Sequence, residues 1–537
     1  MTTRFRILIA DPLHESAWQL LRQEPDVEVC GPFESRDALL KVLEDADALI
    51  VRSNTRVDAE LLLAAPRLKV VARAGAGLEN VDIDFATRRG VLVINAPDAN
   101  LVAVAEFTMA VLLALARFIP RGAALARQGE WPSMDLLGFE LCGRTLGIIG
   151  FGRLGREVAA RARAFGMHVL VYDPYVDLTF TQAEGVEMVN FSEMLARADV
   201  LSLHTAYTPR TEHIIDAAAL AQMKPGAVLV NCVHPGLVDE QALLDALENG
   251  PLAAAALDNL SQEPPPLDHP LLQHPRVLLT PHLSQSTLEA QTATATQVVS
   301  DVLAALRGDD YRHTVNLPFH EGGPDRPAVT YRSVRPYIHL AEKLGKLQGQ
   351  LAEGWITRVE VEVVGEGLRN LVRPVAAVLL SGMLLPVEGR KVNWVSAPVL
   401  AHEQGIAMAQ AKGLVDLSDY PNGIACRIYW QGGQRTVAGV LFGNGEARLV
   451  QYDDYHVDAY PEGYVLILEN QDAPGVIGKI GLRLGQAGVN IAQWRYGREK
   501  PGGRAVSFIN LDQRVPKSLI QELLNEPEIA SARLVHL

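Results

Sequence analysis

Two residues have the types and setting of a proton-exchanging pair. His282 stands in Thr280-Pro281-His282-Leu283-Ser284, and Glu263 ends Asp258-Asn259-Leu260-Ser261-Gln262-Glu263 just before Pro264-Pro265. Imidazole is the side chain that exchanges protons near neutral pH. A carboxylate beside it can orient the ring and stabilise the imidazolium, as the acid of a catalytic triad does. Each segment follows an apolar run that reads as a parallel strand, and ligands collect at the carboxyl ends of such strands. A third segment of this kind is Asn231-Cys232-Val233-His234-Pro235-Gly236. Taken alone, the pair also reads as a loop histidine and a surface glutamate.

A nucleotide signal upstream weights the choice toward chemistry. The apolar run Thr145–Ile149 meets Gly150-Phe151-Gly152-Arg153-Leu154-Gly155, a helical pattern begins at Arg156, and a second apolar run, His168–Tyr172, ends on Asp173. Gly150 permits a tight strand-to-helix turn, Gly152 lets backbone approach a pyrophosphate, and Gly155 lets the helix pack close to the strand. The helix N-terminus offers unpaired N–H groups to phosphates. Asp173 accepts from ribose hydroxyls and repels a 2′-phosphate, which favours NAD over NADP. A lone Gly-rich match is weak, but strand, loop, helix, strand and acid fall here in order.

These residues need a scaffold, and the chain supplies strands alternating with helices. Strands are expected at 5–10, 27–30, 48–51 and 69–72, an α/β unit with a parallel sheet that lacks the Gly-rich loop. After an apolar helix at 103–117 the nucleotide unit begins, with further strands at 200–204, 228–232, 253–258 and 277–279. A helix at 287–306 can pack back onto the first unit, which makes the cofactor domain an insertion with a cleft beside it. Residues 308–327 read as a linker. Beyond it come a helix at 335–352, a strand at 359–364, strand then helix over 392–409, and strands at 424–430 and 435–441. This second α+β domain carries no recognisable catalytic constellation. The last part reads βαββαβ, which suits a small ferredoxin-like sandwich.

Bulk composition narrows the partners. The chain has 537 residues, 48% hydrophobic and 21% charged, enough for three or four domains. A net charge of −14 argues against nucleic acid or anionic membrane as a general partner, so an anionic substrate needs locally placed basic residues. Cys30, Cys142, Cys232 and Cys426 are too scattered for a disulfide framework or a zinc site, as in a reduced cytosolic protein. The opening residues run straight into a strand, so no secretory signal is expected. The apolar stretch 101–116 is interrupted by Glu106 and Thr108 and is too short for a bilayer.

The whole chain closely resembles the long D-3-phosphoglycerate dehydrogenases of the D-isomer-specific 2-hydroxyacid dehydrogenase family. The marks are Arg73-Ala-Gly-Ala-Gly-Leu-Glu-Asn80, the Gly147 to Gly155 loop, Asn231 to Glu240, Glu263-Pro264-Pro265 and Pro281-His282. Val392-Asn-Trp-Val-Ser-Ala-Pro398 is similar to the family's intervening domain, and Asp472 to Gly481 with Gly488-Val-Asn-Ile-Ala492 to an ACT domain. The resemblance implies a Rossmann-type NAD domain (100–286) inserted in a discontinuous flavodoxin-like substrate domain (1–99 and 287–316). An α+β intervening domain (317–455) and a ferredoxin-like ACT domain (461–537) would follow. NAD would contact Gly150, Gly152, Arg153, Leu154, Gly155, Asp173, Thr205, Cys232, Val233, His234, Asp258 and His282. Substrate would lie against Ser53, Asn54 and Gly77, near Asn100, with Arg52 and Arg73 facing a phosphate; ordinary sheet-end ion pairs are the alternative for the two arginines. The implied reaction is oxidation of 3-phosphoglycerate to 3-phosphohydroxypyruvate, the first step toward serine, with His282 as acid/base. By the same resemblance the enzyme would be a homo-oligomer, a tetramer; the cysteine pattern implies a cytoplasmic protein without a metal. Its ACT domain would take an effector such as L-serine at Asp472, Gly475 and Asn490, or serve dimerisation alone.

The chain departs from the family around the substrate. The family places an arginine where His234 stands, in a Cys-x-Arg-Gly-Gly run, to grip the substrate carboxylate by forked, charge-assisted bonds. Losing one partner of a buried charge pair costs about 2–5 kcal/mol, or roughly 30-fold to several thousand-fold in rate. Pro235 removes a backbone donor as well. Ala76, Leu101-Val102-Ala103 and Ser284-Gln285 are further changes close by. Alternatives therefore stand beside the first expectation: a dehydrogenase for a different 2-hydroxyacid, with His234 as a weaker anion contact, or a non-catalytic NAD- and amino-acid-binding regulatory paralogue.

Overall fold

The computed structural model describes residues 4–131, 136–176, 185–317, 331–365, 368, 371–388, 392–443 and 445–537. Its first sheet holds β1 (Phe5–Ile9), β2 (Val27–Cys30), β3 (Ala48–Val51), β4 (Val70–Arg73) and β5 (Leu92–Asn95). They are all parallel in the order β2-β1-β3-β4-β5, the flavodoxin-like arrangement. β3 and β5 are buried at every residue, as continuous apolar runs covered on both faces must be. The Leu288–Arg307 helix returns to this sheet, and its Val298, Val299 and Val302 share a core with Ile7, Ile50 and Val70.

The second sheet holds β6 (Thr145–Ile149), β7 (His168–Tyr172), β8 (Glu187–Met188), β9 (Val200–Leu203), β10 (Ala227–Asn231), β11 (Leu252–Leu257) and β12 (Val277–Leu279). The order β12-β11-β10-β9-β6-β7-β8, again all parallel, reverses between β6 and β9. That reversal is the switch point at which a doubly wound sheet opens a crevice for its ligand. The Leu101–Ala116 helix crosses from the first sheet to the second and buries Ala105, Met109 and Leu112 against Ile148 and Val158. Its apolar character is that of a core helix; no single described helix is long and apolar enough to cross a membrane.

A six-stranded sheet follows: β13 (Ile356–Gly365), β14 (Ala407–Gln410), β15 (Asn422–Trp430), β16 (Gly433–Leu441), β17 (Ala447–Tyr452) and β18 (Tyr455–Ala459), ordered β14-β13-β15-β16-β17-β18. Only the β13–β14 pair is parallel. Against it packs a helical pair, Tyr331–Leu351 and Val372–Glu388, so close that a Cβ on Gly345 would lie 2.2 Å from the Leu379 carbonyl oxygen. The expected strand-then-helix over 392–409 is corrected to helix then strand: residues 392–396 are an irregular turn, Ala397–Glu403 is helical and Ala407–Gln410 is the strand. The β-forming Val392, Trp394 and Val395 are used instead in packing, Trp394 edge-on to Tyr311 at 4.9 Å. The sheet's last strand crosses the expected boundary at 455. Of the expected linker, residues 318–327 lie outside the described residues.

The chain ends in β19 (Tyr464–Gln471), β20 (Ile491–Arg498), β21 (Arg504–Leu511) and β22 (Ile529–His536), antiparallel in the order β20-β21-β19-β22. With the helices Val476–Gln486 and Lys517–Leu524 packed on it, this is the ferredoxin-like sandwich.

Candidate active site

The carboxyl ends of both parallel sheets face one cleft. From the first come the loops after β3, β4 and β5; from the second come the Gly-rich loop after β6 and the loops after β9, β10, β11 and β12. Among the described residues, contacts that bridge them include Arg153 with Asp98, His234 with Glu79, and Asn100 with Gln285.

The loop after β6 has the shape that a dinucleotide requires. Gly150 has φ +93°, and a Cβ on it would meet the His204 carbonyl at 2.7 Å. A Cβ on Gly155 would lie 2.2 Å from the Gly150 oxygen, whereas one on Gly152 would meet nothing within 4 Å. The helix starts at Arg153 rather than Arg156, so Gly155 sits in its first turn, and the first N–H groups open onto the space beside Gly152. Asp173 braces the loop: its carboxylate accepts from Phe151 N at 2.8 Å and from Tyr175 N at 2.9 Å. The lone pairs left over suit ribose hydroxyls. Exposed Gly152 and Arg153, half-buried Leu154 and Thr205, and an acid at 173 together fit NAD.

His282 and Glu263 do meet. Nδ1 of His282 lies 3.0 Å from Glu263 Oε2, which leaves Nε2 toward the cleft. His282 holds φ +54°, with its N–H on the Asp258 carbonyl at 2.8 Å. Beneath it, Asp258 is fully buried and accepts from Thr280 Oγ1 at 2.7 Å, Leu283 N at 2.8 Å and Ser284 N at 2.9 Å. Asp258 therefore fastens the histidine loop from below. Cys232 is also buried, in a core with Met109, Ile148 and Val230, and burial pushes its thiol up to about 12, so it stays a protonated, apolar group.

His234 stands opposite. Its ring stacks on Tyr207, with centroids 4.2 Å apart and 13° between planes, and Nδ1 accepts from Gly236 N at 3.1 Å. That acceptor role puts the proton of the neutral ring on Nε2, which lies 4.0 Å from Glu79 Oε1. Burial lowers the pKa of His234 from the ordinary histidine value; Glu79 opposes this, while Arg73 and His282 add to it. The ring is therefore a neutral N–H donor at neutral pH and cannot stand in for a cation. Asn259 Nδ2 holds the Val233 carbonyl at 3.2 Å, and Asn231 Nδ2 that of His234 at 2.8 Å.

On the other wall Arg73, at the end of β4, points its Nη2 at Glu79 Oε2 across 3.5 Å. Its buried Nε has no hydrogen-bond partner, and burial lowers its pKa from the ordinary arginine value. Ser53 and Asn54 are exposed at the cleft rim. Their loop is fixed by Asp11, which accepts from Arg52 N and Thr55 Oγ1, and by Asn80 Nδ2, which donates to the Arg52 and Thr55 carbonyls. Arg52 Nη1 donates to the Pro12 carbonyl at 3.4 Å. Gly77 leaves room for Glu79, whose Oε1 a Cβ would meet at 2.1 Å. Asn100, buried, donates to Gln285 Oε1 at 2.8 Å, so one departure from the family, Gln285, is tied to the substrate side.

Asp11, Glu79, Asn80 and Tyr207 escaped the sequence reading. Glu79 and Asn80 lie inside the Arg73–Asn80 motif, which was the one available signal. In the C-terminal sandwich, Asp472 accepts from Gly502 N at 3.0 Å and Tyr496 Oη at 3.1 Å, and these bonds hold its pKa below the ordinary aspartate value. Asn490 donates to Asp512 Oδ2 at 2.6 Å, and Gly475 has φ +92° with open space at its Cβ position.

Residues 109–284 match the profile described as D-isomer specific 2-hydroxyacid dehydrogenase, NAD binding domain, and residues 333–453 match the D-3-phosphoglycerate dehydrogenase intervening domain. The D-3-phosphoglycerate dehydrogenase of Methanocaldococcus jannaschii is 38% identical over 535 residues, which is 99% of this chain and 100% of that protein. A glyoxylate reductase from Paecilomyes thermophila, 32% identical, superposes with a TM-score of 0.54 over 59% of this chain and 99% of its own. D-Lactate dehydrogenase from Aquifex aeolicus, solved with NAD and lactic acid, is 28% identical, with a TM-score of 0.51 over 57% of this chain and 96% of its own. With the nucleotide loop, the histidine–glutamate pair and similarity along its full length, the chain belongs to the D-3-phosphoglycerate dehydrogenases of the D-isomer-specific 2-hydroxyacid dehydrogenase family.

Proposed function

We propose that the chain is an NAD-dependent dehydrogenase that oxidises D-3-phosphoglycerate to 3-phosphohydroxypyruvate, the first step toward serine. The observation that carries this is His282, held by Glu263 at the carboxyl ends of the second sheet beside the dinucleotide-shaped Gly150–Gly155 loop. When bound, NAD supplies the acceptor for the C2 hydride. Gly150, Gly152, Arg153, Leu154, Gly155 and Asp173 would hold it, with Thr205, Cys232 and Val233 beside it. His282 Nε2 takes the C2 hydroxyl proton, while Nδ1–H donates to Glu263, whose charge stabilises the imidazolium. Arg73 and Arg52 attract the substrate's phosphate, and the backbone of Ser53, Asn54 and Gly77, near Asn100, receives its carboxylate end. His234 contributes one neutral N–H where the family has a guanidinium.

One observation favours a second reading: His234 is neutral and lies near Glu79. A smaller demand for carboxylate charge suits a different 2-hydroxyacid, and loss of turnover altogether would leave an NAD- and amino-acid-binding regulatory paralogue. NADH oxidation with 3-phosphohydroxypyruvate, set beside a panel of 2-keto acids, decides between them. Preference for the phosphorylated acid supports the first reading, and preference for another the second.

The four-part division (1–99 with 287–316, 100–286, 317–455, 461–537) belongs to the same proposal, as does a cytoplasmic homotetramer. The βαββαβ sandwich acts as an ACT domain that takes L-serine near Asp472, Gly475 and Asn490. Serine titration by calorimetry with no heat and no inhibition would leave it a dimerisation module.

A further inference from the structure

A row of four alternating charges crosses the junction between the two parallel sheets. Arg153, first residue of the helix behind the Gly-rich loop, donates from Nη1 to Oδ2 of Asp98. Asp98 lies on the crossover between β5 and the Leu101–Ala116 helix. The same Oδ2 stands 3.8 Å from Nε2 of His313, whose Nδ1 meets Oδ2 of Asp301 at 2.9 Å. Asp301 belongs to the returning Leu288–Arg307 helix, and the Gln297 amide of that helix reaches the same Nδ1 at 3.1 Å.

The row is held in place at some cost. His313 has φ +59°, a left-handed conformation that a side-chain-bearing residue keeps only when its surroundings dictate it. Two residues earlier, Tyr311 is pinned edge-on by Tyr331 and Trp394, at 4.8 and 4.9 Å. Asp98 Oδ1 is buried with no hydrogen-bond partner, so this carboxylate depends on neighbouring charge for compensation. With His313 protonated the four charges sum to zero. With it neutral, the two aspartates outweigh Arg153 by one charge, beside a loop shaped for a pyrophosphate.

We propose that His313 is a positioning residue for the cofactor: when protonated it offsets Asp98 and leaves the Arg153 guanidinium to the pyrophosphate, and when neutral it lets Asp98 hold Arg153 back. The inference rests on the NAD reading of the Gly150–Gly155 loop. Among the described residues, the groups that face His313 are Asp301 and Gln297 from the returning helix, Asp98 from the crossover with Arg153 behind it, and Arg312 on its own segment. The Asp301 hydrogen bond raises the pKa of His313 above the ordinary 6.5, burial opposes it, the charges of Asp301 and Asp98 add to the rise, and Arg312 subtracts. The transition therefore falls on the alkaline side of that value, and cofactor binding weakens as pH rises through it.

ADP-ribose tests this directly, because it carries the pyrophosphate without the nicotinamide and does not report on His282. Calorimetry on the full chain, from about pH 6 to about pH 9, is expected to show wild-type affinity falling about fivefold, the low end of site-to-site couplings. His313→Gln binds at the weak, high-pH level throughout, and Asp98→Asn at the strong level throughout. Adenosine, which lacks phosphates, binds wild type and both variants alike and without pH dependence, which also reports that the variants fold. A wild-type affinity that does not change with pH, or a wild-type pH profile retained in either variant, overturns the proposal. No binding of ADP-ribose at any pH overturns the NAD reading and the proposal with it.

Discussion

Nδ1 of His282 and Oε2 of Glu263 lie 3.0 Å apart at the rim of the cleft, with 42% and 41% of their side chains exposed. The bond fixes which ring nitrogen carries the proton, and the exposure decides how strongly it acts. A carboxylate open to water is screened, so Glu263 orients more than it electrostatically stabilises. Glu263→Gln is expected to lower kcat by about 10- to 100-fold, at or below the low end of general acid–base effects. KM for the cofactor should not change. His282→Asn should cost on the order of 1000-fold while NAD still binds, measured by stopped-flow turnover beside fluorescence titration.

His234 and Glu79 make the substrate wall poorer in positive charge than the family pattern. Replacing His234 by arginine restores a guanidinium opposite Glu79, and kcat/KM for 3-phosphohydroxypyruvate should rise by about tenfold or more, that is about 1.4 kcal/mol or more. The pH dependence has a definite sign. Because burial lowers the pKa of His234, the ring charges only as pH falls below the ordinary histidine range. KM for the anionic substrate should therefore decrease as pH falls in wild type, and should not do so in His234→Asn. Steady-state KM measured across pH checks both.

Gly152 and Gly155 separate binding from stability. A Cβ at 155 collides with the Gly150 carbonyl, and Gly155→Ala should destabilise the fold by about 1–3 kcal/mol. A Cβ at 152 meets nothing within 4 Å of this chain. Gly152→Ala should leave the thermal midpoint where it is but weaken NAD binding at least tenfold. Thermal unfolding with and without NAD distinguishes the two.

Asp173 decides between the two nicotinamide cofactors. Asp173→Ala removes an acceptor worth about 1.5–3 kcal/mol, roughly 10- to 100-fold in NAD affinity. It also removes the charge that repels a 2′-phosphate, so NADP affinity should rise. Parallel titrations with NADH and NADPH measure the crossing.

Much of this was legible in the residues themselves. Thr145–Ile149, His168–Tyr172 and Val277–Leu279 are read to the residue, because short apolar runs bounded by glycine, aspartate or polar turns leave a buried parallel strand as the economical solution. His282 and Glu263 are found because each follows such a strand. What stays hidden depends on long-range convergence. Val392 to Val395 has strand-like composition, yet Asn393 is used to donate to the Gly90 carbonyl at 2.7 Å and Trp394 to clamp Tyr311; tertiary contacts override local preference. Asp98 and His313 carry no local signal, since Asp98 meets Arg153 only when the two parallel sheets face each other and His313 meets Asp301 only when the returning helix packs back. The resemblance assigned Asp258 to the cofactor, and only the folded loop reveals three donors converging on its buried carboxylate.

The most direct test of the central claim is steady-state oxidation of NADH by the full chain, with 3-phosphohydroxypyruvate and with a panel of unphosphorylated 2-keto acids. The account predicts turnover that is highest with 3-phosphohydroxypyruvate and falls on the order of 1000-fold in His282→Asn. Absence of turnover on every acid, or turnover left near the wild-type rate in His282→Asn, would contradict it.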